Sequence, residues 1–191
     1  MTNESIGPPT PAPDAKDWTW VLETRCPECG FDAGSVERSQ IAVLTRSAVE
    51  AWRHALAGPD VQSRPAPDVW SALEYGSHCR DVCRIFRLRV ALMLEQDNPV
   101  FANWDQDATA VEQRYAEQDP EVVADELEAA ALAFVARVRS LRPDQLDRRG
   151  FRSNGSEFTV VTLCQYFLHD VIHHLWDVTG QGDATTSLEL G

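Results

Sequence analysis

Residues 159–178 read TVVTLCQYFLHDVIHHLWDV. Apolar positions recur here at three- and four-residue spacing, the period of an amphipathic helix. Gly180 and Gly182 follow as stop signals. Three of the chain's five histidines, His169, His173 and His174, lie in this stretch. At about 100° per residue, His169 and His173 project about 40° apart, one turn from each other. His174 lies about 140° from His169 and falls off that face. Leu168, Ile172 and Trp176 share the His169/His173 face, so the sequence predicts that this face points into a helical core.

Three more helices precede it. The first is expected from Val36 to Ala57, with Ile41, Leu44, Ala48, Trp52 and Leu56 as its stripe and Gly58-Pro59 as its stop. The second starts near Asp68, a good N-cap residue, and runs to about Gln96, where Asn98-Pro99 ends it. Residues 97–119 form a long crossover with room for one short helix between Asp107 and Gln118. Asp119-Pro120 opens the third helix, with Val123, Leu127, Ala130, Ala131, Phe134, Val138 and Leu141 on one side. A loop from Asp144 to Glu157 follows, and Asn154-Gly155 suits a small hairpin. The expected fold is all-α: a four-helix bundle with a long crossover between helices 2 and 3. An irregular all-α fold of the same elements is the alternative. Residues 1–17 should be a disordered Pro-rich tail, 18–35 an irregular segment with a Cys-x-x-Cys, 36–180 the bundle and 181–191 a second tail.

Among the 191 residues, 17 are Lys or Arg and 30 Asp or Glu, for a formal net charge of -13. That excess of acid argues against nucleic acid or anionic lipid as partner. No apolar run reaches the roughly 20 residues of a membrane span, and the N-terminus has no apolar signal core. The five cysteines do not suggest a disulfide framework in a chain of this size, so a reducing cytoplasm is expected.

Two imidazoles one turn apart on an apolar face are costly unless satisfied, and a divalent metal satisfies both. Hydrogen-bonded core or surface histidines would give the same pattern, which lacks the internal glutamate of HExxH. A third imidazole is His78, in WSALEYGSHCRDV of the second helix. His54, near the end of the first helix, reads as structural or solvent-exposed.

Here the sequence resembles a known family. A tryptophan-led second helix with an internal histidine (Trp70, Glu74-Tyr75-Gly76-Ser77-His78, Asp81), then roughly 90 residues, then a terminal helix with His169, His173 and His174, is similar to the DinB-like superfamily. That superfamily includes YfiT-like metal-dependent hydrolases and low-molecular-weight-thiol S-transferases. The resemblance covers residues 36–180 and implies a four-helix bundle holding a divalent metal on His78, His169 and His173. Zinc is the ion expected first, with nickel or iron as alternatives. His174 is expected not to ligate.

Three neutral imidazoles leave the ion an open position. A water there loses a proton more easily, and a thiol becomes a thiolate. The resemblance implies the second chemistry: mycothiol, bacillithiol or glutathione attacking an electrophile, with metal-assisted hydrolysis beside it. All basic residues but Lys16 are arginine, a trait of GC-rich genomes that favours mycothiol by association. A non-catalytic metal- or ligand-binding stress-response bundle is the competing class. Glu74, Asp170 and Asp177 are placed to orient imidazoles. Tyr75 could donate to an oxyanion, and Trp104-Asp105 could cover the open position. The family also allows a homodimer.

Cys26-Pro27-Glu28-Cys29-Gly30 resembles half a zinc ribbon, but no second cysteine pair completes it. A labile disulfide, half of an inter-chain zinc site and a plain turn are the readings this leaves open. Cys79, Cys83 and Cys164 suit packing.

Overall fold

The computed structural model describes residues 17–180. Of the expected tails, 1–17 and 181–191, all but Asp17 lies outside the described residues; Asp17 caps the first turn by accepting from the Thr19 amide. The described residues form five α-helices: α1 (Arg38–Leu56), α2 (Ala72–Glu95), the short α3 (Gln106–Glu112), α4 (Pro120–Arg139) and α5 (Val160–Thr179). One antiparallel hairpin, β1 (Arg149–Phe151) and β2 (Glu157–Thr159), sits between α4 and α5.

Local chemistry sets the helix ends. Asp119 caps α4 through the amides of Glu121 and Val122, with Pro120 at the first helical position. Thr159 and Thr162 form a reciprocal box at the start of α5. The second helix starts later than Asp68 suggests. Ser71 accepts from the Glu74 amide at 3.2 Å while the Glu74 carboxylate accepts from the Ser71 amide at 2.8 Å. That capping box satisfies two donors that Asp68 alone would not.

α1, α2, α4 and α5 make the four-helix bundle. α4 and α5 each pack along both α1 and α2, while α1 and α2 touch only slightly. Around the bundle the order is therefore α1–α4–α2–α5, and sequence neighbours α1 and α2 stand on a diagonal. The crossover through α3 lets α4 return between them. Phe134 of α4 and Phe167 of α5 meet at the centre, ring centroids 3.9 Å apart. The Trp52 indole N–H of α1 donates to the Val171 carbonyl of α5 at 3.1 Å.

The crossover is tied down by polar anchors. The Tyr115 hydroxyl donates to Asp81 at 2.6 Å, and Asp81 is also gripped by the buried Arg80 guanidinium. Nearer the start of the crossover, the Phe101 amide donates to the Phe151 carbonyl of the hairpin at 2.7 Å.

The segment before α1 is not a loose leader. It makes two 3-10 turns (Trp18–Leu22 and Ala33–Ser35) packed on α5. Val21, Cys26, Cys29, Phe31 and Ala33 are buried there. Close approach explains Gly34: a Cβ at that position would stand 2.1 Å from the Leu22 carbonyl oxygen.

Candidate functional site

α5 carries two interleaved i,i+4 pairs. His169 and His173 form one, and Asp170 and His174 the other, rotated by about 100° around the helix axis. The two pairs meet different partners and form two separate clusters of metal-competent side chains among the described residues: His78 with Asp170 and His174, and Cys26 with Cys29, His169 and His173.

In the first cluster, His78 comes from α2, seven residues past the capping serine. Its Nε2 lies 3.3 Å from Asp170 Oδ1, and His174 Nε2 lies 3.7 Å from the same oxygen. Ligands about 2.1 Å from one tetrahedral ion stand about 3.4 Å apart, so the spacing fits a shared cation. The imidazoles of His78 and His174 meet edge to face at 4.9 Å. Trp104 of the crossover stacks on His78, centroids 5.3 Å apart and planes 8° apart, and Tyr75 stacks on His174 at 4.9 Å. The outer nitrogen of His174, Nδ1, faces Asp177 Oδ2 at 2.8 Å, an arrangement that aims Nε2 into the cluster. His78 Nδ1 is buried with no hydrogen-bond partner.

Asp170 and His174 of this cluster open on a cleft of about 520 Å3, whose lining also takes in His169 and His173 of the second cluster. Trp18, Trp70, Tyr75, Trp104 and Tyr166 give it aromatic walls, Asp68, Asp105 and Asp107 stand in its lining, and Arg152 is the cationic residue there.

The second cluster joins α5 to the N-terminal segment. Cys26 Sγ lies 3.7 Å from His173 Nδ1, and Cys29 Sγ 3.8 Å from His169 Nε2. All four side chains are buried. Trp18 covers both imidazoles, at 5.7 Å from His169 and 5.0 Å from His173. All five cysteines are free thiols.

Charge states suit cation binding. Burial lowers the pKa of His78 against the pull of Asp170, lowers that of His173, and, with His173 beside it, brings His169 down to about 4. These imidazoles are therefore neutral at pH 7. Burial pushes the Asp170 carboxyl up, but the hydrogen bond to His78 and the neighbouring imidazoles outweigh it and hold it at about 2. The donor set of the first cluster is thus one carboxylate and two imidazoles in an acid-lined cleft, which fits a divalent ion. The Cys29 thiol is pushed up to about 12, first by burial.

The sequence profile of the DinB superfamily matches residues 42–178. The chain belongs to the DinB superfamily. Among solved structures, YfiT from Bacillus subtilis, titled a probable metal-dependent hydrolase with an unusual four-helix bundle topology, is similar with a TM-score of 0.70 at 15% identity, over 76% of this chain and 87% of that one. At that identity the likeness speaks to the fold. No curated protein matches the sequence.

The DinB assignment stands, while the expected ligand set divides. His78 and His169/His173 do not meet at one point; they belong to different clusters. His174, expected to stay apart, faces His78 because Asp170 and His174 turn toward α2. The His169/His173 face looks onto Cys26 and Cys29, so its apolar cover is the N-terminal segment rather than the bundle interior. Asp170, expected to orient an imidazole, lies among the candidate ligands themselves. Asp177, one turn after His173, stands nearer His174, whose Nδ1 is 2.8 Å from its Oδ2. Glu74 does not: its carboxylate is taken by Arg64 at 2.8 Å and by the Ser71 amide. Tyr75 and Asp105 line the cleft, and Asp105 caps α3 through the Ala108 amide at 2.9 Å. The missed signal was the second i,i+4 pair inside LHDVIHH.

Proposed function

We propose that this protein is a metal-dependent enzyme of the DinB type, with a divalent ion held by His78, Asp170 and His174. The observation that carries the reading is the convergence of two imidazoles and a carboxylate, from two helices, at the edge of an aromatic, acid-lined cleft. Three protein donors leave room for an outside ligand. When bound, such an ion supplies Lewis acidity that favours the deprotonated form of a water or thiol beside it.

The chain's own groups set the stage for that chemistry. Asp177 accepts the Nδ1 proton of His174 and fixes its tautomer. Trp70 and Trp104 clamp the His78 ring. Burial raises the Tyr75 phenol to about 12, so it keeps its proton and can donate to an oxyanion in the cleft. Arg152 offers a guanidinium to a carboxylate on the substrate.

The nucleophile we favour is a small external thiol. No cysteine of the chain belongs to the His78 cluster, and Cys79, next to His78, is fully buried with its thiol raised well above the ordinary range by burial. The thiol must therefore arrive with the substrate. Mycothiol, bacillithiol or glutathione would fill the role, with an electrophilic carbon as acceptor. Water is the second nucleophile, favoured by the likeness to YfiT. The five free cysteines suit a reducing compartment such as the cytoplasm.

The test is turnover of a panel of electrophiles and esters by zinc-, nickel- and iron-loaded protein, with and without each thiol. Metal-dependent turnover requiring a thiol, lost in His174→Ala, supports transfer. Thiol-independent turnover lost in the same variant supports hydrolysis. A wild-type protein that binds no divalent ion at its own His78 cluster refutes both.

A further inference from the structure

We infer that Cys26, Cys29, His169 and His173 form a second, closed zinc site that staples the N-terminal segment to α5. Nothing in the chemistry of the open cleft requires it. The two sites use different faces of α5 and different donors.

Geometry carries the argument. One potential ligand atom from each of the four side chains lies within 4.8 Å of every other. A tetrahedral zinc with bonds of about 2.3 Å to sulfur and about 2.05 Å to nitrogen holds S and N about 3.6 Å apart. The two recorded S···N separations are 3.7 and 3.8 Å. Those distances are long for a thiol–imidazole hydrogen bond and close to what a shared zinc imposes.

The backbone around the thiols is already folded for the task. The Gly30 amide donates to the Cys26 carbonyl at 2.9 Å, and the Cys26 amide donates to Phe31 at 2.9 Å. Gly30 closes that turn at φ +74°, where a side chain would be strained. The tight knuckle aims both thiols at α5. There the helix holds His169 and His173 with ring centroids 5.1 Å apart. Outside the cluster, Glu28 Oε2 lies 3.5 Å from His173 Nε2, placed to accept from Nε2–H in the tautomer that leaves Nδ1 free for the metal.

Chemistry selects the ion and the role. Two thiolates and two imidazoles suit zinc and disfavour magnesium, calcium or manganese. Four protein donors fill a tetrahedral ion, so no position is left for substrate. The half ribbon at Cys26–Cys29 therefore finds its other half in α5 of the same chain. Because His169 and His173 flank Asp170 and His174, this site also holds rigid the turn of α5 that presents the ligands of the cleft.

The experiment is zinc K-edge absorption and metal analysis on the full chain purified with zinc. Only this site contains sulfur, so sulfur scattering near about 2.3 Å reports on it alone. We expect two sulfur neighbours on one zinc. We expect that signal to persist in His78→Ala, which removes a ligand of the cleft, and to vanish in Cys26→Ser/Cys29→Ser together with one zinc per chain. A wild-type zinc shell of nitrogen and oxygen alone overturns the proposal, whatever happens at the cleft. So does a Cys26–Cys29 disulfide in protein purified under reducing conditions. Should the double serine variant fail to fold, the wild-type spectrum still decides.

Discussion

Asp177→Asn separates the two clusters with the least disturbance of packing. The Asp177 carboxylate stands 2.8 Å from His174 Nδ1 but 3.8 Å from His173 Nε2. Only the first is hydrogen-bonding distance. Asn keeps the volume and an acceptor oxygen but removes the charge that makes His174 a stronger donor to a metal. Loss of such an outer partner weakens a metal site about 10–100-fold. That range corresponds to about 1.4–2.7 kcal/mol. At saturating metal the same free energy is lost from the folded state, because bound ligand stabilises by the logarithm of its excess over Kd. For a chain of this size, each kcal/mol moves Tm by about 2–4 °C, so the zinc-loaded variant should melt about 3–11 °C lower. The assay is chelator competition for affinity, with thermal melts in zinc and in EDTA. The EDTA melts should nearly coincide, and sulfur-bound zinc should stay in place. Equal zinc affinity in variant and wild type would refute the assignment of His174 as a ligand oriented by Asp177.

Phe134 is fully buried and stacks on Phe167, so Phe134→Ala should cost about 3–5 kcal/mol in chemical denaturation; a loss below about 1 kcal/mol would contradict the packing described. Burial raises the Glu74 carboxyl, but Arg64 and the Ser71 amide outweigh it and hold its pKa below the ordinary value. Its contribution is therefore present above the normal glutamate range and lost as pH falls through the folded value, so Glu74→Gln should be less stable than wild type at pH 7 and equal to it in acid; a gap independent of pH would count against the ion pair. Chelation should lower Tm but leave the helical circular dichroism intact at 25 °C, since the apolar core does not depend on metal; loss of that signal in EDTA would mean that the ions hold the bundle itself together.

The bundle was legible because its signals are local. Apolar spacing marked the first, third and fourth long helices, cap and stop residues the second, and every residue of the stripe assigned to the third one, from Val123 to Leu141, is buried. Asp119-Pro120 marked a start that holds to the residue, and the last helix, expected from about Thr159, begins at Val160 with Thr159 as its cap. The second helix was placed three residues early because Asp68 and Ser71 are both good caps, and the choice turned on a carboxylate three residues past Ser71. The diagonal of α1 and α2 was not legible. It depends on which grooves the helices share, and one stripe per helix does not encode that. Nor was the burial of Val21, Cys26, Cys29, Phe31 and Ala33 in the segment before α1, whose turns have no periodicity to read and pack on α5.

The candidate site was half legible for a related reason. A helix wheel shows that His169 pairs with His173, but it shows equally that Asp170 pairs with His174. Which pair meets α2 depends on the rotation of α5 in the bundle. That rotation is fixed by apolar residues: Phe167, Leu168, Val171 and Ile172 are buried against the other helices. With this arc turned inward, Asp170 and His174 face His78, and His169 and His173 are left exposed unless something covers them. The cover is a segment about 140 residues earlier in the chain, and it brings sulfur. One helix thereby sorts two donor sets by softness: carboxylate and imidazole toward His78, thiol and imidazole toward the N-terminal segment, with His169 and His173 also standing in the lining of the cleft. The odd position in the run is Asp170. A histidine there would keep the spacing but remove the carboxylate that the imidazoles of His78 and His174 lack, so the first cluster would offer a cation no anionic donor of its own.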